Sequence, residues 1–253
     1  MDLALIKSDV VKASHILHQQ GIAAAFGHVS ARIPATDTFI FPPRMSPALV
    51  RADNLLVLDV EGNQLSGDGR PNTEFWIHAR IYKARPDVQA ICHVHPPSCV
   101  ILSSLGETIR PLHASGAIFR NDVQVFDRIS LIRTRELGDA VASTLGDHGA
   151  MFLLGHGVNV ADKDVRRACT MTLWMEEAET TNCERCPRQT TLLPRRGTRN
   201  NLSASLRRRG VQPGVGVFQQ PLECLSGDDF GGTMALTHAS LRQAVIDNAS
   251  FLV

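Results

Sequence analysis

Apolar residues in the segment 2–20 recur at helical spacing, at Leu5 and Ile6, Val10, Ala13, and Ile16 and Leu17. This periodicity predicts an amphipathic helix that Gly21 is placed to end. Short β-like runs follow at 29–33, 38–41, 55–58, 90–95 and 150–154, with turn signals such as Glu61-Gly62-Asn63 between some of them. Helical stretches alternate with these runs at 74–84, 98–105, 133–145 and 164–180, the last opening on Asp164 as a capping residue. Strands interleaved with helices, without a Rossmann glycine pattern, predict a layered α/β domain.

The periodicity stops near residue 182. The stretch 183–232 is rich in Arg, Pro, Gly, Gln and Thr and contains no lysine. The expected organisation is therefore a body at 1–182 and an atypical tail at 183–253. That tail reads as a disordered extension or as out-of-frame translation of a former helical segment, with a short helix possible at 234–249.

Composition narrows the class. A chain of 253 residues buries roughly 70–75% of its unfolded surface, enough for a core without staples. Hydrophobic residues at 43% and charged residues at 20% exclude global disorder. No apolar run reaches the roughly 20 residues of a membrane span. Lys7, Asp9 and Lys12 break the layout of a signal peptide, so a soluble cytoplasmic protein is expected. The net charge of +1 is uneven: eight arginines face one acid, Glu184, between Cys183 and Gly210. The main body thus lacks a basic nucleic-acid surface. Six scattered cysteines make no disulfide framework, and reduced thiols are expected.

The sharpest chemistry sits in Cys92-His93-Val94-His95-Pro96-Pro97. Side chains at i and i+2 of a strand share a face, so His93 and His95 can address one ion, and the prolines end the strand beyond them. Two imidazoles are an incomplete site for a zinc-type ion; two polar residues at a strand end give the same pattern. Leu153-Leu154-Gly155-His156-Gly157-Val158 supplies a third histidine between glycines that permit tight bends, with a plain turn histidine as the alternative. In Arg70-Pro71-Asn72-Thr73-Glu74, Asn72 and Thr73 are expected N-caps, placing Glu74 at a helix N-terminus that stabilises its charge. Beside a metal this carboxylate is a further ligand or a general acid–base; otherwise it is an ordinary helix-start acid.

Taken together, Gly27-His28-Val29-Ser30-Ala31-Arg32, Asn72-Thr73-Glu74 with His78, His93-Val94-His95-Pro96 and Gly155-His156-Gly157 resemble the class II aldolase/adducin family in order and spacing, over residues 5–180. The resemblance implies a three-layer α/β/α fold with a central, largely antiparallel sheet, assembled as a homotetramer with sites near subunit interfaces. It implies one divalent metal ion per subunit on His93, His95 and His156, with Glu74 as the acid–base. Three neutral imidazoles leave the ion its charge and open positions, so two adjacent substrate oxygens can chelate and the enolate left by carbon–carbon cleavage is stabilised. Zinc, manganese, cobalt and iron all suit this ligand set.

Sugar-phosphate members of the family hold the phosphate with Asn in a Gly-Asn-x-Ser segment, a Ser/Thr-Gly pair after a strand and a Ser-Ser before the catalytic Glu. Here those places carry His28, Pro43-Arg44 and Asn72-Thr73. A guanidinium suits a planar carboxylate. The departures point to the family's decarboxylase branch, acting on a hydroxylated aromatic or ring-cleaved dicarboxylic acid in aromatic catabolism. His28, Arg44, Asn72 and Thr73 are then the substrate-binding residues; Arg32 either joins them or is a structural salt-bridge residue. The alternatives are an aldolase or epimerase of sugar phosphates and a non-catalytic, adducin-like scaffold. Retention of three histidines with Glu74 weighs against the scaffold. His113 either faces the site or is a core or loop histidine, while His15, His18, His148 and His238 have no supporting context. Cys183-Glu184-Arg185-Cys186 lacks a second cysteine pair for zinc, and Arg207-Arg208-Arg209 lacks the aromatics of a nucleic-acid grip. Family members often complete a neighbour's site from the C-terminal segment, sometimes with a tyrosine; the only tyrosine here is Tyr82.

Overall fold

The computed structural model describes residues 2–110, 112, 114–119 and 123–185. The expected tail beyond 185, the short helix at 234–249, Cys186, the Arg207–Arg209 run, His113 and His238 lie outside the described residues.

The chain opens with α1 (Leu3–Gln19), capped by the Asp2 side chain on the Ala4 N–H, and Gly21 follows it in the left-handed region at φ 74°. Next come β1 (His28–Arg32), β2 (Thr38–Phe41), β3 (Leu56–Asp59) and β4 (Gln64–Ser66), then α2 (Phe75–Ala84) and β5 (Ala90–Val94). The order continues through α3 (Pro97–Leu105), α4 (Ala114–Ala117), β6 (Val123–Phe126), α5 (Arg135–Leu145), β7 (Ala150–Leu153), β8 (Gly157–Asp162) and α6 (Val165–Arg185). Asp164 does cap α6, accepting from the Arg167 N–H at 2.9 Å, and this helix runs on past residue 182.

The described strands form one sheet in the order β4-β3-β2-β1-β5-β8-β7-β6, antiparallel throughout except for the parallel β6–β7 pair. The expected α/β/α layering is present. One apolar layer joins α1, α3 and α6 to the sheet through Val10, Leu17, Cys99, Ala168 and Met175 against Val29, Cys92, Val94, Phe152 and Val160. The other joins α2 and α5 through Ile77, Ile81, Tyr82, Val141 and Leu145 against Phe39, Phe41, Ile91, Met151 and Leu153. The central strands β1, β5 and β7 are buried at every position, so alternate residues serve opposite layers.

Three strands were not expected from the hydrophobic pattern. β4 is exposed at each of its three positions, and β6 carries only one buried residue, so neither shows an apolar run. β8 is buried, but its Gly157-Val158-Asn159-Val160 opening places a glycine and an asparagine where core residues are sought. Neither Asn72 nor Thr73 caps α2 as expected. Glu74 holds the N-cap position without a side-chain cap, while Asn72 Oδ1 accepts from the Glu74 N–H at 3.0 Å, forming a turn that leads into the helix.

Helices α2 and α5 meet at Gly138, where an added Cβ would stand 2.6 Å from both the Trp76 carbonyl oxygen and Arg80 Cγ. Alanine would gain about 1 kcal/mol of helix propensity there, but a backbone oxygen cannot yield to it without parting the helices. Gly138→Ala should therefore lose about 1–3 kcal/mol of unfolding free energy, read from urea denaturation.

Candidate metal centre

On β1, β5 and β8 the residues facing α2 include His28, Ser30, Arg32, His93 and Asn159, all buried. The register places His28 opposite His93 and His93 opposite Asn159, so three polar side chains form one row across the middle of the sheet. His95 lies one residue past the end of β5, its backbone N–H donating to the Ile22 carbonyl at 3.1 Å. Pro96 then turns the chain into α3, as the proline pair leads one to expect.

His156 arrives from the β7–β8 hairpin. Gly155 takes φ 58° in that turn, which a side chain disfavours. Gly157 permits a closer approach still: a Cβ there would stand 2.4 Å from the Val94 carbonyl oxygen and 2.9 Å from His95 Cδ2. The hairpin is thus pressed onto the end of β5, and the His156 ring stacks on His95 at 5.1 Å between centroids and stands edge-on to His93 at 5.0 Å.

Glu74 closes the group from the start of α2. It is buried, accepts from the Ile132 N–H at 2.8 Å through Oε1, and the same oxygen is 3.6 Å from His156 Nε2. Burial opposes its ionisation, but the His156 and His93 rings and the Ile132 N–H outweigh that penalty and hold the carboxyl down at about 2. One ligand atom from each of Glu74, His93, His95 and His156 lies within 4.8 Å of all the others.

The donor chemistry fits a divalent cation. His93 Nδ1 faces two acceptors, Asn159 Oδ1 at 2.7 Å and the Val158 carbonyl at 3.1 Å, so this nitrogen carries the proton. The lone pair is then on Nε2, which is buried and has no hydrogen-bond partner among the described residues; the two His156 nitrogens are also buried, with Nε2 facing Glu74 Oε1 at 3.6 Å, beyond hydrogen-bond length. Burial, joined by the neighbouring imidazoles, lowers the proton affinity of His93 and His95 and favours the neutral rings that a cation requires.

Sequence comparison agrees with this architecture. The family described as "Class II Aldolase and Adducin N-terminal domain" matches residues 8–182. The chain belongs to this family. Among its relatives is the 3,4-dihydroxyphthalate decarboxylase of Arthrobacter keyseri, 28% identical over an alignment 173 residues long that covers 63% of this chain and 70% of that one. Another is the L-fuculose phosphate aldolase of Methanococcus maripaludis strain C5, 26% identical over 171 residues, 67% of this chain and 91% of that one. The solved L-fuculose 1-phosphate aldolase of Glaciozyma antarctica PI12 superposes with a TM-score of 0.63 at 25% identity, covering 72% of this chain and 73% of that one. No helix among the described residues of this class II aldolase-family chain is long and apolar enough to cross a membrane.

The other expected site residues fare differently. His28 stands beside the cluster, its ring centroid 5.0 Å from that of His93. Arg44 and Thr73 are exposed, and the Arg44 side chain makes no hydrogen bond or ion pair among the described residues. The Arg44 N–H donates to the Arg70 carbonyl at 2.8 Å, which ties its loop to the segment leading to Glu74. Arg32 is structural. Its guanidinium donates to the carbonyls of Val88, Tyr82 and Arg85 and lies 3.9 Å from Asp37, leaving nothing to offer a substrate. His15 and His18 contact the carbonyls of Val50 and Ala23, outside the cluster.

Asn159 escaped sequence reasoning. Its only mark there is a lone carboxamide in the apolar alternation of β8. Asn159→Ala should weaken divalent-ion binding by about 10–100-fold, measured by zinc competition against a chromophoric chelator, because the proton on His93 would lose its fixed position.

Proposed function

We propose that this class II aldolase-family chain is a divalent-metal-dependent carbon–carbon lyase that decarboxylates a hydroxylated aromatic or ring-cleaved dicarboxylic acid. The observation that carries the reading is the convergence of buried His93 and half-buried His95 and His156 with a buried, ionised Glu74, beside His28 where sugar-phosphate enzymes carry an amide. In this reading His93, His95 and His156 hold the ion, which zinc or manganese would supply, or cobalt or iron. Bound there, the ion would supply Lewis acidity toward two adjacent oxygens of the substrate.

The chain's own residues do the rest. Glu74, ionised at rest, takes the proton of the substrate hydroxyl next to the departing carboxyl. The bond to carbon dioxide breaks, its electron pair stays on the substrate carbon, and Glu74 returns the proton to that carbon. His28 holds the second carboxylate from inside the sheet. Arg44, Asn72 and Thr73 form the outer part of the substrate site, with the exposed Arg44 guanidinium suited to a carboxylate. The working form is a cytoplasmic homotetramer with no nucleic-acid or membrane partner, serving aromatic catabolism. The decarboxylase relative, 28% identical, supports this choice of reaction.

A second reading, a sugar-phosphate aldolase, draws on the L-fuculose phosphate aldolase of Methanococcus maripaludis, 91% of whose length is matched. Metal-loaded protein should release carbon dioxide from a panel of ortho-hydroxy aromatic and ring-cleaved dicarboxylates. Glu74→Gln should lower that rate by about 10²–10⁴-fold, and His93→Ala should abolish both release and stoichiometric metal. Silence on the whole panel from metal-bound protein, with cleavage of a ketose 1-phosphate, would overturn the decarboxylase in favour of the aldolase.

A further inference from the structure

A line of buried hydrogen bonds runs from His28 away from the candidate metal centre. His28 Nδ1 lies 2.7 Å from His78 Nε2, His78 Nδ1 lies 2.6 Å from Ser30 Oγ, and Ser30 Oγ lies 2.8 Å from the Tyr82 hydroxyl. All four side chains are buried, with His78 and Ser30 fully so. At the near end, His28 Nε2 has no partner among the described residues, and its ring borders that of His93.

The direction of this line follows from counting protons. The Tyr82 hydroxyl meets Ser30 Oγ and the Ile91 backbone, and the Ile91 contact favours the phenolate, which marks it as an N–H donor; Ser30 Oγ is then the acceptor among the described residues to which Tyr82 O–H donates. The single Ser30 proton must then go to the other neighbour, His78 Nδ1, which becomes an acceptor. A reversed line would strand the Tyr82 proton in the core, and a buried donor left unmade costs about 1–3 kcal/mol. With Nδ1 accepting, the proton of the His78 ring sits on Nε2 and is donated to His28 Nδ1. The remaining His28 proton is on Nε2, directed away from His78.

We propose that Tyr82, Ser30 and His78 are positioning residues that lock His28 as an Nε2–H donor toward the candidate site, so that the group His28 meets on the substrate is an oxygen acceptor of the carboxylate class. The assignment deepens the lyase reading and rests on it for the identity of that acceptor. The tautomer itself stands on the four side chains alone. A locked donor discriminates: a carboxylate oxygen is welcomed, whereas an ammonium or an amide N–H at the same place would leave two donors opposed.

The deciding measurement is a long-range 15N–1H correlation spectrum of histidine-labelled, zinc-loaded full chain, with His28 and His78 signals assigned from His28→Gln and His78→Gln. Both rings should show the Nε2–H pattern, and an Nδ1–H pattern at His28 in the unmutated protein would overturn the proposal. Ser30→Ala removes the lock, so the His28 signal should move toward the Nδ1–H form while zinc affinity holds; an unmoved signal would also overturn it. Should Ser30→Ala not fold, Tyr82→Phe gives the same readout with a smaller shift expected, and the unmutated spectrum decides alone.

Binding of phthalate, a dicarboxylate without hydroxyls, should weaken about tenfold in Ser30→Ala, the loss expected for one charge-assisted hydrogen bond. Correct tautomers without phthalate binding or carbon dioxide release would sink the lyase reading and the acceptor assigned to His28, leaving the hydrogen-bond line standing. Carbon dioxide release with Nδ1–H at His28 would sink the line and spare the lyase.

Discussion

Polar groups cannot be left unmet in the middle of a sheet covered on both faces, and most of the site's geometry descends from that requirement. His28, His93 and Asn159 share one row across β1, β5 and β8, in a position where apolar residues would be the easy solution. Their hydrogen bonds are met sideways, His93 by Asn159 and His28 by His78, and each arrangement leaves one imidazole nitrogen without a partner among the described residues. The row therefore holds its members in place and keeps them reactive through the same contacts. A well-packed apolar row would have been as stable, but would have carried no chemistry.

The framework around that row is ordinary in its physics. Alternation along β1, β5 and β7 divides each strand between two apolar layers, and the amphipathic helices pack accordingly. Glycine enters where backbones must nearly touch: Gly138 between α2 and α5, and Gly157 between the β7–β8 hairpin and β5. The second contact has the more direct bearing on chemistry, because it decides how near His156 comes to His95.

Much of this was legible beforehand, for reasons that differ by element. The helical period of α1 and the apolar runs of β2, β5 and β7 depend on local spacing, and the structure places those elements within one or two residues of expectation. The convergence of His93, His95, His156 and Glu74 was implied by the family resemblance that their motifs carry jointly, which neither composition nor any single spacing supplies. What stayed hidden was relational. Asn159 and Tyr82 acquire meaning only from the cross-strand and helix–sheet neighbours that the fold supplies. Asn72 looked like a helix cap because its side chain does bind a backbone N–H, that of Glu74, before the helix begins.

The four groups of the candidate metal centre come from the start of α2, the end of β5 and the β7–β8 turn, segments far apart along the chain. No local stretch can bring them together, so the site exists only when the pairing β5-β8-β7 is complete and α2 is packed on the sheet. A cation that binds this site binds the folded chain alone. By mass action it then acts as a non-covalent cross-link, adding about 2.7 kcal/mol to stability when its free concentration is 100 times its dissociation constant. Melting temperature would thus become a gauge of occupancy, and a chain deprived of such a ligand would spend less of its time folded.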